Sequence, residues 1–444
     1  MTDSVAPATA RHLLTRLARV QRDGRLPSVV AGVVRDGQLV WCQGRGDVPG
    51  PVENTQYRIG SITKTVTAVL VLQLVEEGLV GLDQAIGTLI DGVPHGERTV
   101  RQLLCHDAGL PAEPAGAWWE RSPGTDFATL IAANRDVQAA QSPGEQFHYS
   151  NLGYAMLGEL VSRLRDQTWS DAAWHRVLEP LGMERTGSQP SGPYADGFSV
   201  HPYAGTLTRE PATDTGAMAP AGQLWSTVAD LTRWADFMIR GHRWVLPVEA
   251  LDRAMAPRSG TGASGLTQAH ALGFQLHAGG SGTIVGHSGS MPGFMAGCFV
   301  DRRRGTGVVL LSNGTTGLAS AGTAIGLLDD LERHEPSIGP DWQPNLGVPG
   351  AFADLLGVWH WGNTAHTFEL EGSQLVVRLR GEVVYRYVAD GDGIVGAAGY
   401  QRGERLRVVR NEDGTINHLD LGTFVFTRIP YDPRAPIPGG PPSS

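Results

Sequence analysis

Gly60-Ser61-Ile62-Thr63-Lys64-Thr65 contains the one lysine in a chain of 444 residues, against 35 arginines. Either cation serves solubility and surface pairing, but only an ammonium loses its proton near neutral pH when it is buried, because a guanidinium stays charged. The lone amine therefore reads as chemical. It stands three residues after Ser61, and residues three apart share one face of a helix. Ser-x-x-Lys thus sets a hydroxyl beside an amine able to take its proton.

Working outward, Val66, Val69, Leu70, Leu74 and Val75 make the following helix apolar on almost every side, with Gly78 where a C-terminal cap belongs. That describes a buried helix with Ser61 at its start. Upstream, residues 12–23 have helical spacing, and the segments 28–34 and 38–43 alternate around Asp36-Gly37, the two-residue signal of a β-hairpin. Downstream, a helical region with Pro/Gly-rich connections spans roughly 85–250, including predicted helices over 152–165 and 227–239. Strands are predicted at 271–276, 283–285, 297–300 and 307–311, and a helix at 319–332. Strands at both ends with helices between them describe an α+β unit whose antiparallel sheet is built from both ends of the sequence.

A linker-like stretch over 336–351 separates this unit, 1–335, from a second one of different composition, 352–430. There, short strands are predicted at 358–361, 367–370, 374–379, 383–388, 405–409, 418–421 and 423–427, the pattern of a small all-β sandwich or barrel. The tail, 431–444, is rich in proline and glycine and is expected to lack regular structure.

With 41% apolar and 18% charged residues the chain can bury a large core, and its net charge of −9 with scattered arginines argues against nucleic-acid and anionic-membrane partners. A small-molecule or peptide substrate is expected instead. No uncharged run reaches the length of a spanning helix, and the N-terminus lacks a basic, then apolar, export signal, so a cytoplasmic location is expected. Cys42, Cys105 and Cys298 suit reduced thiols better than a disulfide framework. No cofactor or metal site is indicated, and single histidines such as His106 read as core or hydrogen-bonding groups.

Serine acyl transfer needs a nucleophile, a proton acceptor that later donates, and N–H groups aimed at the developing oxyanion. Ser61 and Lys64 supply the first two. Tyr149, in Phe147-His148-Tyr149-Ser150-Asn151, falls on the loop before the helix from 152, where a nearby cation is expected to lower its pKa toward working pH. By itself Tyr-Ser-Asn equally describes a helix cap with a packed tyrosine. Gly286-His287-Ser288-Gly289-Ser290 ends a strand. Gly289 permits close backbone approach there, and an edge strand at this point is expected to hold an extended substrate. Trp118, Trp119 and Phe127 are either the lining of an apolar acyl pocket or ordinary core.

In combination and in this order, the three pieces resemble the penicillin-recognising serine enzymes of the class C β-lactamase branch. That branch includes D-alanyl-D-alanine carboxypeptidases, D-aminopeptidases, family VIII esterases and the penicillin-binding-protein-type thioesterases that release nonribosomal peptides. The resemblance covers about 10–333 and extends to the segments 99–111, 220–227 and 287–294. It implies a β-lactamase/transpeptidase-like domain, and the β domain resembles a lipocalin-like one. It further implies that Ser61 is acylated, that Lys64 and Tyr149 share base and acid duties, and that Asn151 hydrogen-bonds the substrate amide. The N–H groups of Ser61 and Ser290 would form the oxyanion hole beside Gly289. His287 stands where β-lactamases carry the lysine of Lys-Thr-Gly, so the fixed cation for a β-lactam carboxylate is missing.

Three functions follow as expectations. The first is a hydrolase or acyltransferase for D-residue-containing peptidyl thioesters, esters or amides, of the thioesterase kind, with substrate free or delivered by a carrier protein. The second is a family VIII-type esterase or D-aminopeptidase. The third is an inactive binding module. No Gly-x-Ser-x-Gly elbow occurs, which sets the α/β-hydrolase reading aside.

Overall fold

Asp36 and Gly37 both have positive φ, 49° and 75°, as a two-residue hairpin turn with the sheet's own twist requires. They join β1 (Ser28–Arg35) to β2 (Gln38–Gly46), after a first helix, α1 (Pro7–Gly24), that runs longer at its N-terminal end than its apolar spacing indicates. The computed structural model describes residues 5–260, 267–280, 282–338, 341–391, 393–422 and 424–430. The tail expected to be irregular lies outside the described residues.

Every residue of β1 up to Val34 is buried, and alternate side chains serve different cores. Val30 and Val34 join the larger cluster on one face, while Val29, Ala31 and Val33 join a smaller cluster with Leu13 and Leu17 of α1 on the other. A strand covered on both faces has no polar side to show, which is why its sequence is almost wholly apolar.

Next come α2 (Thr63–Glu76), α3 (Asn151–Arg165) and α4 (Val228–Arg240), then β3 (Gln268–His270), β4 (Gln275–Gly279), β5 (Gly282–Met291), β6 (Phe294–Asp301), β7 (Thr306–Ser312) and α5 (Ser320–His334). The antiparallel sheet has the order β2-β1-β7-β6-β5-β4-β3, so its N-terminal hairpin pairs with its last strand. This is the sheet made from both ends of the first unit.

Two strand predictions need correction. The apolar run 271–276 is not one strand: Ala271 N–H donates to Phe274 O across a turn whose Gly273 has φ 89°. Ala271, Leu272 and Phe274 are apolar because the turn itself is buried, not because it alternates. The short strand at 283–285 is in fact β5, which continues through the glycines to Met291. Nor is β5 an edge strand, since β4 and β6 flank it. Its pairing with β4 ends at Gly286, however, and from His287 to Met291 it pairs with β6 alone.

Helix starts in the insertion follow side-chain caps. Ser150 accepts from Gly153 N–H ahead of α3, and Thr227 accepts from Asp230 N–H ahead of α4. Two ribbons were not expected, Tyr57–Arg58 with Trp225–Ser226 and Phe198–Val200 with Leu207–Arg209. Strands of two and three residues are too short to carry a period.

After Ser337 the chain forms a second compact unit. A helical turn, Gly350–Leu355, leads into a closed eight-stranded barrel, lipocalin-like in class: Gly357–Trp361, Thr364–Glu371, Gln374–Leu379, Glu382–Asp390, Gly393–Gly399, Arg405–Arg410, Ile416–Leu421 and Phe424–Thr427. Pairing of His360 with Thr427 closes it. Its core gathers Phe352, Trp359, Phe368, Tyr387 and Phe426, and Trp359 Nε1–H donates to Leu355 O at 2.7 Å. The strand Gly393–Gly399 was missed because its sequence, GIVGAAG, offers glycine and alanine where alternation would be sought. Among the described residues no helix is long and apolar enough to cross a membrane.

Candidate active site

Ser61 lies not in α2 but in the single 3₁₀ turn Gly60–Ile62 that precedes it. Gly60 has φ 52°, and a Cβ built on it would lie 2.6 Å from Ser290 N; one built on Gly289 would lie 1.9 Å from Ile59 O and 3.1 Å from Ser61 N. The two glycines therefore let the Ser61 turn and β5 touch backbone to backbone, which sets the N–H groups of Ser61 and Ser290 on facing segments. A side chain at either position would force them apart.

Lys64 is fully buried in α2. Its Nζ lies 3.1 Å from Ser61 Oγ, 2.6 Å from Asn151 Oδ1 and 2.7 Å from Ala221 O. Burial pulls its pKa down to about 7, against the opposing pull of Glu113 and Glu120. The carbonyl of Ala221 can only accept, and Asn151 Oδ1 is fixed as the acceptor end because its Nδ2 donates to Glu113 Oε1 at 2.8 Å. A neutral amine has two hydrogens, both engaged by these oxygens, so its lone pair faces the Ser61 hydroxyl. That is the geometry of a base poised on a nucleophile.

Tyr149 joins the group, with Lys64 Nζ 4.9 Å from its ring centre. Its pKa, expected to fall, is instead raised by burial; the Ser61 hydroxyl alongside opposes the rise, though the pair lies outside hydrogen-bond geometry. A cation beside a phenol lowers its pKa only if charged, and Lys64 is itself half neutral at pH 7. Tyr149 keeps its proton. Asn151, expected to face the substrate amide, spends its amide on Lys64 and Glu113 and ties the base to the carboxylate.

His287 is 1% exposed, and burial, with His270 nearby, holds it well below the usual imidazole pKa. Its Nδ1 lies 2.5 Å from Ser288 O. No fixed cation thus stands at this position. Ser61, Tyr149, His287, Gly289 and Ser290 line one cleft of about 450 Å³.

The sequence did not point to Glu113 or Glu120, and it read His106 as a core or hydrogen-bonding group. His106 stacks on Tyr149 with ring centres 4.1 Å apart and takes Ser150 N–H on its Nδ1. It has a left-handed φ of 56° just after the helix over 100–104 ends. Of the aromatic candidates, Trp119 is core and donates to Glu113, whereas Trp118 is 58% exposed with the Arg121 guanidinium over its ring. Phe127 packs against the core from a half-buried position.

A family model described as Beta-lactamase matches residues 10–332, and the chain belongs to that family. A second model, a domain of unknown function (DUF7586), matches residues 348–428. "Beta-lactamase-like protein 2" of Dictyostelium discoideum is 26% identical over 258 residues, which is 54% of this chain and 47% of that protein. The chain therefore spans about half the length of this curated relative. Among solved structures, the octameric penicillin-binding protein homologue from Pyrococcus abyssi is 22% identical with a TM-score of 0.65, over 94% of this chain and 99% of that one. A D-stereospecific amidohydrolase from Streptomyces sp. is 23% identical with a TM-score of 0.62, over 76% of this chain and 100% of that one. At these identities the likeness establishes the fold.

Proposed function

We propose that the protein forms an acyl-enzyme on Ser61 and passes the acyl group to water or an amine, taking D-residue-containing peptidyl thioesters, esters or amides rather than β-lactams. The observation that carries this reading is the buried Lys64 amine, 3.1 Å from Ser61 Oγ with its other two bonds made to oxygens. Neutral Lys64 takes the Ser61 proton as Oγ attacks the carbonyl carbon, and the N–H groups of Ser61 and Ser290 receive the oxyanion. Tyr149, kept protonated, gives its proton to the leaving group and is reprotonated from Lys64. Its buried hydroxyl fits a donor better than a base. With His287 neutral, a carboxylate beside the scissile bond finds no fixed cation, which disfavours β-lactams. Three unbridged cysteines suit a reducing, cytoplasmic compartment, where a carrier protein would present the thioester.

A second reading, D-aminopeptidase or amidase, is supported by Glu113 and Glu120, whose charges act on Lys64 and are held by no cation among the described residues. Such a pair suits a substrate ammonium on the acyl side, and amide cleavage is the activity in the name of the Streptomyces neighbour. The test is a comparison of kcat/KM on a peptidyl thioester ending in a D-residue, a D-aminoacyl amide and a short-chain aryl ester, with the adduct located by mass spectrometry. Turnover led by the thioester supports the first reading, by the amide the second, and by the aryl ester the esterase. A folded protein whose Ser61 takes up no fluorophosphonate overturns all three and leaves a binding module.

A further inference from the structure

Tyr149, the proton donor of the proposed reaction, is carried by the connection 135–150, which contains neither helix nor strand. Such a segment has no hydrogen-bond ladder of its own to fix a side chain, so the placement of this hydroxyl has to come from elsewhere in the fold. One residue, His106, meets the segment three times. Its carbonyl oxygen accepts the His148 N–H at 2.8 Å, and its Nδ1 accepts the Ser150 N–H at 3.0 Å. Its ring stacks on that of Tyr149, with centres 4.1 Å apart and planes 27° from parallel. The two bonds therefore fall on the residues immediately before and after Tyr149, and the stack falls on Tyr149 itself. Phe147, His270 and His287, the other rings around the phenol, stand farther off, at 6.5, 6.4 and 6.2 Å.

The chemistry of the imidazole makes this grip possible. A backbone N–H only donates, so the bond from Ser150 puts the lone pair on Nδ1 and the proton on Nε2. Burial, with His270 nearby, holds the ring well below the usual imidazole pKa, and Nδ1 stays an acceptor. His106 is buried, and its left-handed φ of 56° is a conformation that histidine and asparagine enter more readily than most residues. Ser150 carries the hold onward. Its hydroxyl donates to Pro111 O at 2.7 Å and accepts the Gly153 N–H, which fixes the start of α3 and with it Asn151.

We infer that His106 is a positioning residue, which aims the Tyr149 hydroxyl at the leaving group by clamping the tyrosine's ring and both of its chain neighbours. It is not among the residues that line the Ser61 cleft, so it acts through Tyr149 and not on substrate. The inference rests on Tyr149 as proton donor in the acyl-enzyme reaction proposed above. There, the bond from Ser61 Oγ to the acyl carbon forms, the bond to the leaving oxygen breaks, and the tyrosine's proton goes to that oxygen. A leaving group that is stable as an anion needs no such proton, whereas an alkoxide does. Misplacing Tyr149 therefore slows substrates with basic leaving groups selectively, while a general loosening of the site slows all of them alike.

The test compares kcat/KM for p-nitrophenyl acetate and for ethyl acetate in the whole protein, since the two esters give the same acetyl-enzyme and differ only in what leaves. The ratio of the first to the second should rise about a hundredfold in His106→Phe, which keeps a ring but offers the Ser150 N–H no acceptor; that is the lower end of what a placed general acid contributes. In His106→Asn it should rise only about tenfold, because Oδ1 restores the acceptor, asparagine tolerates the left-handed φ, and the stack alone is lost. If His106→Phe fails to fold, the asparagine variant decides by the same ratio. A ratio unchanged in the deciding variant, even where both rates fall together, leaves His106 a merely structural role and overturns the inference. Tyr149→Phe separates that failure from failure of the proposed reaction. It should raise the ratio at least as far as His106→Phe does, and a ratio it leaves unchanged removes Tyr149 as the donor and the inference with it.

Discussion

An amine inside a protein core is a source of strain on the fold as well as a reagent, and for Lys64 both effects have a sign. The pKa of about 7 in the folded chain lies below the ordinary 10.5 of the unfolded one. The penalty for burying the ammonium is therefore complete below pH 7, shrinks between 7 and 10.5, and is absent above. Lys64→Met should raise stability by about 2 kcal/mol below pH 7, after allowance for the three hydrogen bonds it removes, with the gain fading as pH approaches 10.5. Thermal unfolding at a series of pH values checks this; a gain that grows with pH contradicts it. The base, by contrast, works only when deprotonated. Acylation kcat/KM should climb through pH 7 with one ionisation to a plateau, and Lys64→Arg, which cannot lose its proton, should cost about a thousandfold. The pair Ser61–Lys64 was legible because its geometry is local, set by three residues of chain. The tie from Asn151 to Glu113 was not, since it joins residues 38 apart through a fold no local pattern encodes.

At the scale of elements, the site depends on one contact between the Ser61 turn and β5. Neither glycine in that contact has a side chain to read, so the sequence showed Gly289 only as permission for close approach and assigned Gly60 no role. Glycine also disguised the strand: Gly286 and Gly289 interrupt alternation, and β5 was taken to end where its functional half begins. At Gly289 a methyl group would meet the Ile59 carbonyl oxygen at 1.9 Å, backbone against backbone, and neither side can swing away as a flexible side chain would. Gly289→Ala should thus push Ser290 N–H away from Ser61 and lower kcat/KM about a hundredfold, the order expected for losing one oxyanion donor. KM for substrate should change much less. Steady-state kinetics decide it, and an Ala variant with wild-type kcat would mean that the two N–H groups are not the oxyanion hole.

For the whole molecule, the order of elements was readable because the sheet's strands sit at the two ends of the first unit and its helices between them, a segregation that leaves few antiparallel closures. The barrel was readable as all-β but not as eight-stranded, for want of a period in Gly393–Gly399. Each unit has hydrophobic clusters of its own. The two large ones, with every residue assigned to the candidate site, lie before Ser337, and the third lies wholly within the barrel unit. A segment with its own core carries the main favourable term of its own folding. A chain ending at Ser337 should accordingly fold, with a cooperative thermal transition, and its Ser61 should react with a fluorophosphonate probe. Its last helix, α5, would still be anchored, because Arg16 of α1 holds Asp330 at 2.6 Å and Arg35 of β1 holds Glu335 at 2.9 Å. Calorimetry and labelling of the truncated protein together decide the matter: a chain that melts without cooperativity contradicts the independence of its cores, and one that folds yet no longer labels contradicts the assignment of the whole acylating machinery to the first 337 residues.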